Sequence, residues 1–469
     1  MRTFGAHLVI AALSMLFAGC GTADHYIVDS SFRSSGAAEG GGVGSGGATS
    51  ASNGGSGGAQ SESSGGSAGA GLAGSPKLSE SLPGLCDSSA GESAYPLLPI
   101  DATQAATRLS KLFWNIAPPE YLVADAKTRN LKTLSDLACF AQSMLNDPRA
   151  AAGVSKFFLD WLDTGVVPSL ARDPKLFPEF TAETVVNARA STQAFLGHVF
   201  FPNPNVVPQP ATLSTLLTAK FGYVNQPLSK ILGVPSTASA LEFVDVLPNR
   251  RIGLLSQAYF PMVEANATSS SPTRRGSHLI ETFLCNTLPR PPLGVVTTPP
   301  NPVSPLTTRA RYESQHAVDP GCRSCHQLMD QPGFAFEHFD ADGSYRMLDA
   351  NQPVESMVTL PRYSFRDWGF GPVSVSDHAS LSELLAKSEA VRACLSARWI
   401  AHAEAVIWDQ AAPSSPMEVK VETISYVLRR GKYSAGASND ADPNYFDLKQ
   451  MMLAVIEQPV TYAALPSLR

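Results

Sequence analysis

Residues 321–343 read GCRSCHQLMDQPGFAFEHFDADG and contain the pattern Cys-x-x-Cys-His at Cys322, Cys325 and His326. In c-type haem attachment, two cysteine thiols bond to the haem vinyl groups and the adjoining histidine ligates the iron. One turn of helix presents both sulfurs and the imidazole on the same side, because residues three and four apart share a helix face. The stretch therefore predicts one covalently attached haem c.

Other chemistries remain open for the same residues. A structural zinc site needs four nitrogen or sulfur ligands, and no second pair of cysteines lies nearby. A redox-active CxxC is typical of a thioredoxin-like βαβ frame, which the surrounding helical pattern does not resemble. A plain disulfide between Cys322 and Cys325 would leave His326 as an ordinary side chain. Haem is the favoured interpretation.

The sixth ligand of the iron is not determined by the pattern. Met329 follows His326 on the same helix face and cannot reach the opposite side of the ring. His316 and Met357 are the main candidates, His338 and Met347 could also fold over the ring, and a five-coordinate iron is the alternative. Phe334 is expected to help wall an apolar haem crevice. Arg346 is expected to pair with a haem propionate or, alternatively, to form a salt bridge with the protein.

The N-terminus indicates an exported lipoprotein. Arg2 precedes the apolar run HLVIAALSMLFAGC, which is too short for a permanent membrane span and ends with small residues before Cys20. This resembles a bacterial lipobox, so residues 1–19 are predicted to be a signal peptide and Cys20 to carry lipid. An ordinary cleaved signal is the alternative. Gly21 favours the outer membrane, on its periplasmic or surface side, over the inner membrane. Residues 20–80 are predicted to be the anchor and a flexible Gly/Ser-rich linker.

Four further cysteines suit disulfides in an oxidising compartment. We predict the pairs Cys86–Cys139 and Cys285–Cys394, although four cysteines allow three connectivities.

The remainder of the chain predicts a mainly α fold. Helical spacing of apolar residues predicts helices over 103–116, 131–147, 149–164, 181–201, 212–219, 226–232, 272–286, 380–409, 416–430 and 443–457. Thr181 is the expected cap of the helix at 181–201. Prolines exclude regular structure over 287–306. The expected organisation is two helical bundle domains, 97–286 and 379–469, on either side of a small haem domain at 287–378, with Pro-rich irregular connections.

Composition and motifs exclude several classes of function. Hydrophobic residues make up 44% of the 469, the net charge is −6, and no basic block stands out, so nucleic acid is not an expected partner. No hydrolase elbow, HExxH helix, P-loop or dinucleotide fingerprint is present. Whether the protein is an enzyme is therefore left undecided, and an electron carrier is favoured over a haem-dependent oxidoreductase.

Residues 305–346 resemble the cytochrome-like domain of large exported proteins of unknown function first grouped in planctomycetes. The residues that carry the resemblance are Arg309, Arg311, His316, Cys322, Cys325, His326, Met329, Asp330, Gly333, Phe334, Glu337, Phe339, Asp340, Gly343 and Arg346. LLTAKFGYVNQPLSKILGVP is similar to the preceding helical domain of that group, and SEAVRACLSARWIAHAEAV to its C-terminal domain. In this chain Asp330-Gln331-Pro332-Gly333 stands where the group has Asp-Pro-x-Gly. The resemblance implies a cytochrome-c-like haem domain and mildly favours His316 over Met357.

These observations lead to one expected function and two alternatives. The expected function is a mono-haem lipoprotein, anchored in the outer membrane, that passes single electrons to an unknown redox partner protein. One alternative is a haem-free structural or interaction lipoprotein with a Cys322–Cys325 disulfide. The other is a peroxidase-like enzyme with a five-coordinate haem.

Overall fold

The computed structural model describes residues 100–131, 133–162, 170–202, 209–289, 299–302, 304–318, 320–365, 368–407 and 446–457. The predicted signal peptide, Cys20, the linker, Cys86 and the helix at 416–430 lie outside these residues. The described residues belong to one compact unit.

The first part of the chain forms helices. These are α1 (Ala102–Leu109), α2 (Glu120–Thr128), α3 (Leu134–Asn146), α4 (Ala150–Leu162) and α5 (Ala182–Phe200). A π-helical turn, Ser110–Trp114, continues α1. Asp101, Thr133 and Thr181 each cap a helix by accepting a hydrogen bond from the third residue of its first turn. The helices predicted here and the Thr181 cap are confirmed, whereas α2 follows a Pro-Pro pair and was not predicted.

Shorter elements follow and lead to the CxxCH segment. They are α6 (Leu213–Thr218), β1 (Gly222–Val224), a 3₁₀ turn Gln226–Leu228, α7 (Ser229–Leu232), β2 (Glu242–Val244), a 3₁₀ turn Leu254–Ser256, α8 (Tyr259–Val263) and α9 (Pro272–His278). A π-helical segment, Leu279–Phe283, continues α9. After the Pro-rich stretch come α10 (Thr308–Arg311), a π-helical segment Tyr312–His316 and α11 (Pro320–Phe334).

Antiparallel ribbons occupy the region beyond α11, where the sequence predicted no helix or strand. The strands are β3 (Leu348–Asp349), β4 (Gln352–Pro353), β5 (Val358–Leu360), β6 (Tyr363–Phe365), β7 (Trp368–Phe370) and β8 (Val373–Val375). β3 pairs with β4, β5 with β8 and β6 with β7. Strands of two or three residues are too short to show the alternation from which strands are predicted, so the sequence did not indicate them.

The C-terminal helices are α12 (His378–Ala386), α13 (Glu389–Ile407) and α14 (Leu448–Glu457). The single helix predicted over 380–409 is thus two helices that separate at Lys387 and Ser388. Cys285 and Cys394 form the predicted disulfide, which ties the segment after α9 to α13. Cys139 is also disulfide-bonded, and its partner lies outside the described residues, so the Cys86–Cys139 pair stays a prediction.

A continuous apolar core joins the helices of the described residues. It includes Phe113 from the turn after α1, Phe158 from α4, Phe334 from α11, Trp399 from α13 and Met452 from α14. The prediction of a mainly α protein is confirmed. Within the described ranges no helix combines the length and apolar character needed to cross a bilayer.

Candidate functional site

The CxxCH residues lie on the first half of α11. Cys325 and His326 lie three and four residues after Cys322, so a helix places them on the same side as Cys322. All three are partly buried, while Gly321, Arg323, Ser324 and Gln327 are exposed. Cys322 and Cys325 are free thiols and are not joined to each other. This confirms the helical turn that the sequence spacing predicted, and it leaves both sulfurs chemically available at the surface of the helix.

The imidazole of His326 is held by two side chains from different helices. Its Nδ1 lies 3.1 and 3.0 Å from the two carboxylate oxygens of Asp330, one turn further along α11. The hydroxyl of Thr273, from α9, donates to Asp330 Oδ1 at 2.6 Å and lies 3.5 Å from His326 Nδ1. Asp330 is only 3% exposed. Asp330 is one of the residues that carry the family resemblance, but no chemical role was predicted for it, although its position four residues after His326 places it on the same helix face.

Two glycines bring α9 and α11 into backbone contact beside this network. A Cβ added at Gly276 would lie 1.6 Å from the carbonyl oxygen of Met329, and one added at Gly333 would lie 1.9 Å from that of Pro272. No side chain larger than hydrogen fits at either position without separating the helices. Their close approach sets the position of Thr273 relative to Asp330.

Phe334 and Met357, two predicted haem contacts, differ in exposure. Phe334 is 1% exposed within the core, and the guanidinium of Arg309 lies 5.0 Å from the centre of its ring. The same guanidinium donates to the carbonyl oxygen of Met357 at 2.7 Å. The Met357 residue is 68% exposed, so its side chain projects toward solvent. His316 is the last residue of the π-helical segment before α11, and the structure describes its backbone only.

Arg346 lies in a cluster of carboxylates rather than on an open surface. Its guanidinium is 2.8 Å from Glu337 and 3.3 Å from both Asp340 and Asp349, and it also donates to Ser270 Oγ at 3.0 Å. Burial lowers the pKa of Arg346, but the carboxylates outweigh this effect and leave that pKa above its ordinary value. Burial raises the pKa of Glu337 despite its arginine neighbours. A haem propionate would have to join or replace partners that Arg346 already has.

Three buried arginines fix the chain just after α11. Arg275 donates to the carbonyl oxygens of Phe336, Phe339 and Asp340 at 2.8–3.1 Å. Arg251 donates to that of Gly343 at 2.6 Å, and Arg172 to that of Ala341 at 2.9 Å. Carbonyl oxygens of residues 336–343 therefore accept hydrogen bonds from guanidinium groups, in addition to the turn hydrogen bonds that the backbone makes there.

Burial also sets the ionisation of these arginines. It lowers the pKa of Arg251 to about 9 and the pKa values of Arg172 and Arg275 to about 10. The three guanidinium groups remain cationic at neutral pH, because those values lie well above it. The sequence did not predict this role, since it depends on residues distant along the chain.

Side chains alone do not form a metal cluster in the part of the chain that the structure describes. No group of three or more His, Cys, Asp or Glu residues converges there. A haem needs fewer protein ligands than a bare ion does, because the porphyrin supplies four nitrogens. His326 would supply the fifth ligand and the two thiols would hold the ring.

Comparison with known families gives two matches. Residues 100–234 match PSD4, described as a protein of unknown function (DUF1592), and residues 251–349 match PSCyt3, described as a protein of unknown function (DUF1588). The second match includes both α9 and α11, and with them Thr273 and the CxxCH residues. No curated protein and no solved structure matches the chain.

Proposed function

Because the chain belongs to the planctomycete cytochrome-like families of unknown function, with PSD4 and PSCyt3 regions in succession, we propose that it binds one haem c covalently and transfers single electrons. The observation that carries the proposal is the arrangement on α11. Two free thiols and an imidazole whose Nδ1 is already engaged lie on one helix face.

The chemistry of these donors fits a haem. Each thiol of Cys322 and Cys325 would add its S–H across one vinyl group, which forms a C–S and a C–H bond and needs no oxidant. With its proton on Nδ1, facing Asp330, the imidazole of His326 carries its lone pair on Nε2, the nitrogen that would ligate iron. The haem, when bound, would supply the one-electron Fe(III)/Fe(II) couple. The protein side chains attach, orient and shield it.

The surroundings of the site support a small haem domain. The buried arginines hold the backbone of residues 336–343, so the position of the chain after α11 is fixed relative to the helix. Phe334 packs in the apolar core at the end of the helix. His316 and Met357 stay the proposed sixth ligands. The exposed side chain of Met357 would have to turn toward the ring to act as that ligand.

We further propose that the protein is an exported lipoprotein, attached through Cys20 to the outer membrane. Its redox partner would then be another protein of the cell envelope. The lipobox-like sequence before Cys20 and the disulfide Cys285–Cys394 support an oxidising compartment.

A haem-stained denaturing gel tests the proposal, because only thioether-linked haem survives denaturation. The full chain is produced with an intact cytochrome c maturation system. Wild-type protein is expected to stain, and the Cys322→Ser/Cys325→Ser variant is expected to lose the stain. Ser324→Ala is the matched control, since Ser324 is an exposed residue between the two cysteines on the same helix, and it should stain as wild type.

The haem-free alternative predicts a different result from the same preparation. Partly exposed thiols on one helical turn can also oxidise to a Cys322–Cys325 disulfide. An unstained wild-type protein would establish that alternative if the peptide spanning Cys322 and Cys325 were two hydrogens lighter than the same peptide after reduction. The electron-carrier proposal would then be rejected.

A further inference from the structure

Hydrogen-bond geometry fixes where the protons lie around His326. Thr273 has a single hydroxyl proton, and its Oγ1 is much closer to Asp330 Oδ1, at 2.6 Å, than to His326 Nδ1, at 3.5 Å. The hydroxyl therefore donates to the carboxylate. His326 Nδ1 lies 3.0–3.1 Å from both carboxylate oxygens, so its N–H donates to them as well. Asp330 accepts from both neighbours.

The negative charge of Asp330 has few compensating charges. Within the described residues its carboxylate is paired with the imidazole of His326, and no Lys or Arg side chain lies within 4 Å of its oxygens. The side chain is 4% exposed, so water screens it weakly. Burying a carboxylate among neutral groups is costly, and a positive charge close by reduces that cost.

We propose that Asp330 is a positioning residue that gives His326 a partly imidazolate character and thereby favours ferric over ferrous iron. This inference rests on the haem attachment proposed above. Two effects act in the same direction. A carboxylate on the outer nitrogen of a ligating histidine raises the basicity of the ligand, and a more basic ligand stabilises the higher oxidation state. In addition, the porphyrin core with ferric iron carries one more positive charge than with ferrous iron, and the buried carboxylate attracts that charge.

Thr273 contributes by holding the carboxylate. Its hydroxyl fixes Asp330 Oδ1, and the Gly276 contact fixes Thr273 relative to α11. The inferred site is thus a low-potential haem c, reduced by one electron from a donor and oxidised by one electron to an acceptor. The Nδ1 proton stays between His326 and Asp330 in both states.

The experiment is a spectroelectrochemical redox titration of the full, haem-loaded chain. Asp330→Asn keeps the shape and an oxygen acceptor for Nδ1–H but removes the charge. Thr273→Val removes the hydroxyl at nearly constant shape, and Thr273→Ser restores it. Glu355→Gln removes one exposed negative charge from the same predicted haem domain and is the control for charge alone.

We expect Asp330→Asn to raise the midpoint potential, Thr273→Val to raise it by a smaller amount, and Thr273→Ser and Glu355→Gln to stay near wild type. Each tenfold loss of the preference for ferric iron corresponds to about 59 mV for a one-electron couple. The haem stain, measured on the same samples, reports the loading of each variant.

The inference is overturned if loaded Asp330→Asn has the potential of Glu355→Gln or a lower one. If Asp330→Asn does not fold, an unchanged potential in loaded Thr273→Val overturns it equally. A wild-type chain without haem is a separate result, because it rejects the proposed function before any potential is measured.

Discussion

Replacing Gly276 with alanine should separate α9 from α11 and disturb the candidate site. The new Cβ would lie 1.6 Å from the carbonyl oxygen of Met329, 2.7 Å from its carbonyl carbon and 3.2 Å from the nitrogen of Gly333. All three atoms belong to the backbone of α11, so no side chain can rotate away. A normal carbon–oxygen contact is more than 3 Å, and the helices must therefore move apart by roughly 1.5 Å at this point.

The expected cost follows from three terms. Overpacking of this kind costs about 1–3 kcal/mol. The hydrogen bond from Thr273 to the Asp330 carboxylate, 2.6 Å long in the native structure, is stretched or lost, and bonds to charged groups contribute about 1.5–3 kcal/mol. Alanine returns about 1 kcal/mol through its higher helix propensity. The free energy of unfolding should thus decrease by about 3 kcal/mol.

Urea unfolding followed by circular dichroism measures this change. Gly197→Ala is the matched control, because Gly197 lies inside α5 and a Cβ there meets no atom within 4 Å. That variant should be as stable as wild type or more stable, through helix propensity alone. Equal stability of the Gly276→Ala and Gly197→Ala variants would refute the conclusion that backbone contact at Gly276 joins the two helices.

Three further predictions test other parts of the structure. Replacing Cys285 and Cys394 with alanine removes a crosslink between residues 109 positions apart and should lower the free energy of unfolding by about 2–4 kcal/mol. Urea titrations measure this change, and an unchanged urea midpoint would contradict it. Arg251→Met leaves three buried carbonyl oxygens without their guanidinium donor and should lower the free energy of unfolding by more than about 3 kcal/mol. Arg250→Met, at an exposed ion pair, should lower it by about 0–1 kcal/mol. Similar losses in the two variants would contradict the buried role of Arg251. Burial lowers the pKa of His378 from 6.5 to about 4, so between these pH values the unfolded chain binds a proton that the folded chain does not. The free energy of unfolding should therefore decrease as pH is lowered through this window, and the decrease should be smaller in His378→Phe. Urea titrations at several pH values measure both, and an equal pH dependence of the two proteins would contradict the prediction.

Local sequence patterns predicted the helices well, because capping and apolar spacing act within a few residues. Thr181 begins α5 as its sequence position indicated, and the CxxCH pattern lies on a helix. The same reasoning did not find the ribbons between Leu348 and Val375. Each strand there has two or three residues, and its stability comes from a partner strand and the core beneath instead of from its own pattern.

The sequence also left the environment of Arg346 open between a propionate and a salt bridge. The structure surrounds its guanidinium with Glu337, Asp340 and Asp349, of which Glu337 is buried. This arrangement depends on a turn of the chain after α11, and residue spacing does not reveal such a turn.

The sequence by itself determined which groups lie on one side of the helix: Cys322, Cys325, His326 and, four residues further on, Asp330. Spacing along one helix fixes those neighbours whatever the rest of the chain does. Only the tertiary structure decided that Thr273 would donate to Asp330 from another helix and that buried guanidinium groups would hold the backbone after α11. Those contacts join residues more than fifty positions apart, and they exist because close packing of α9 on α11 excludes water and leaves each polar group to find a protein partner.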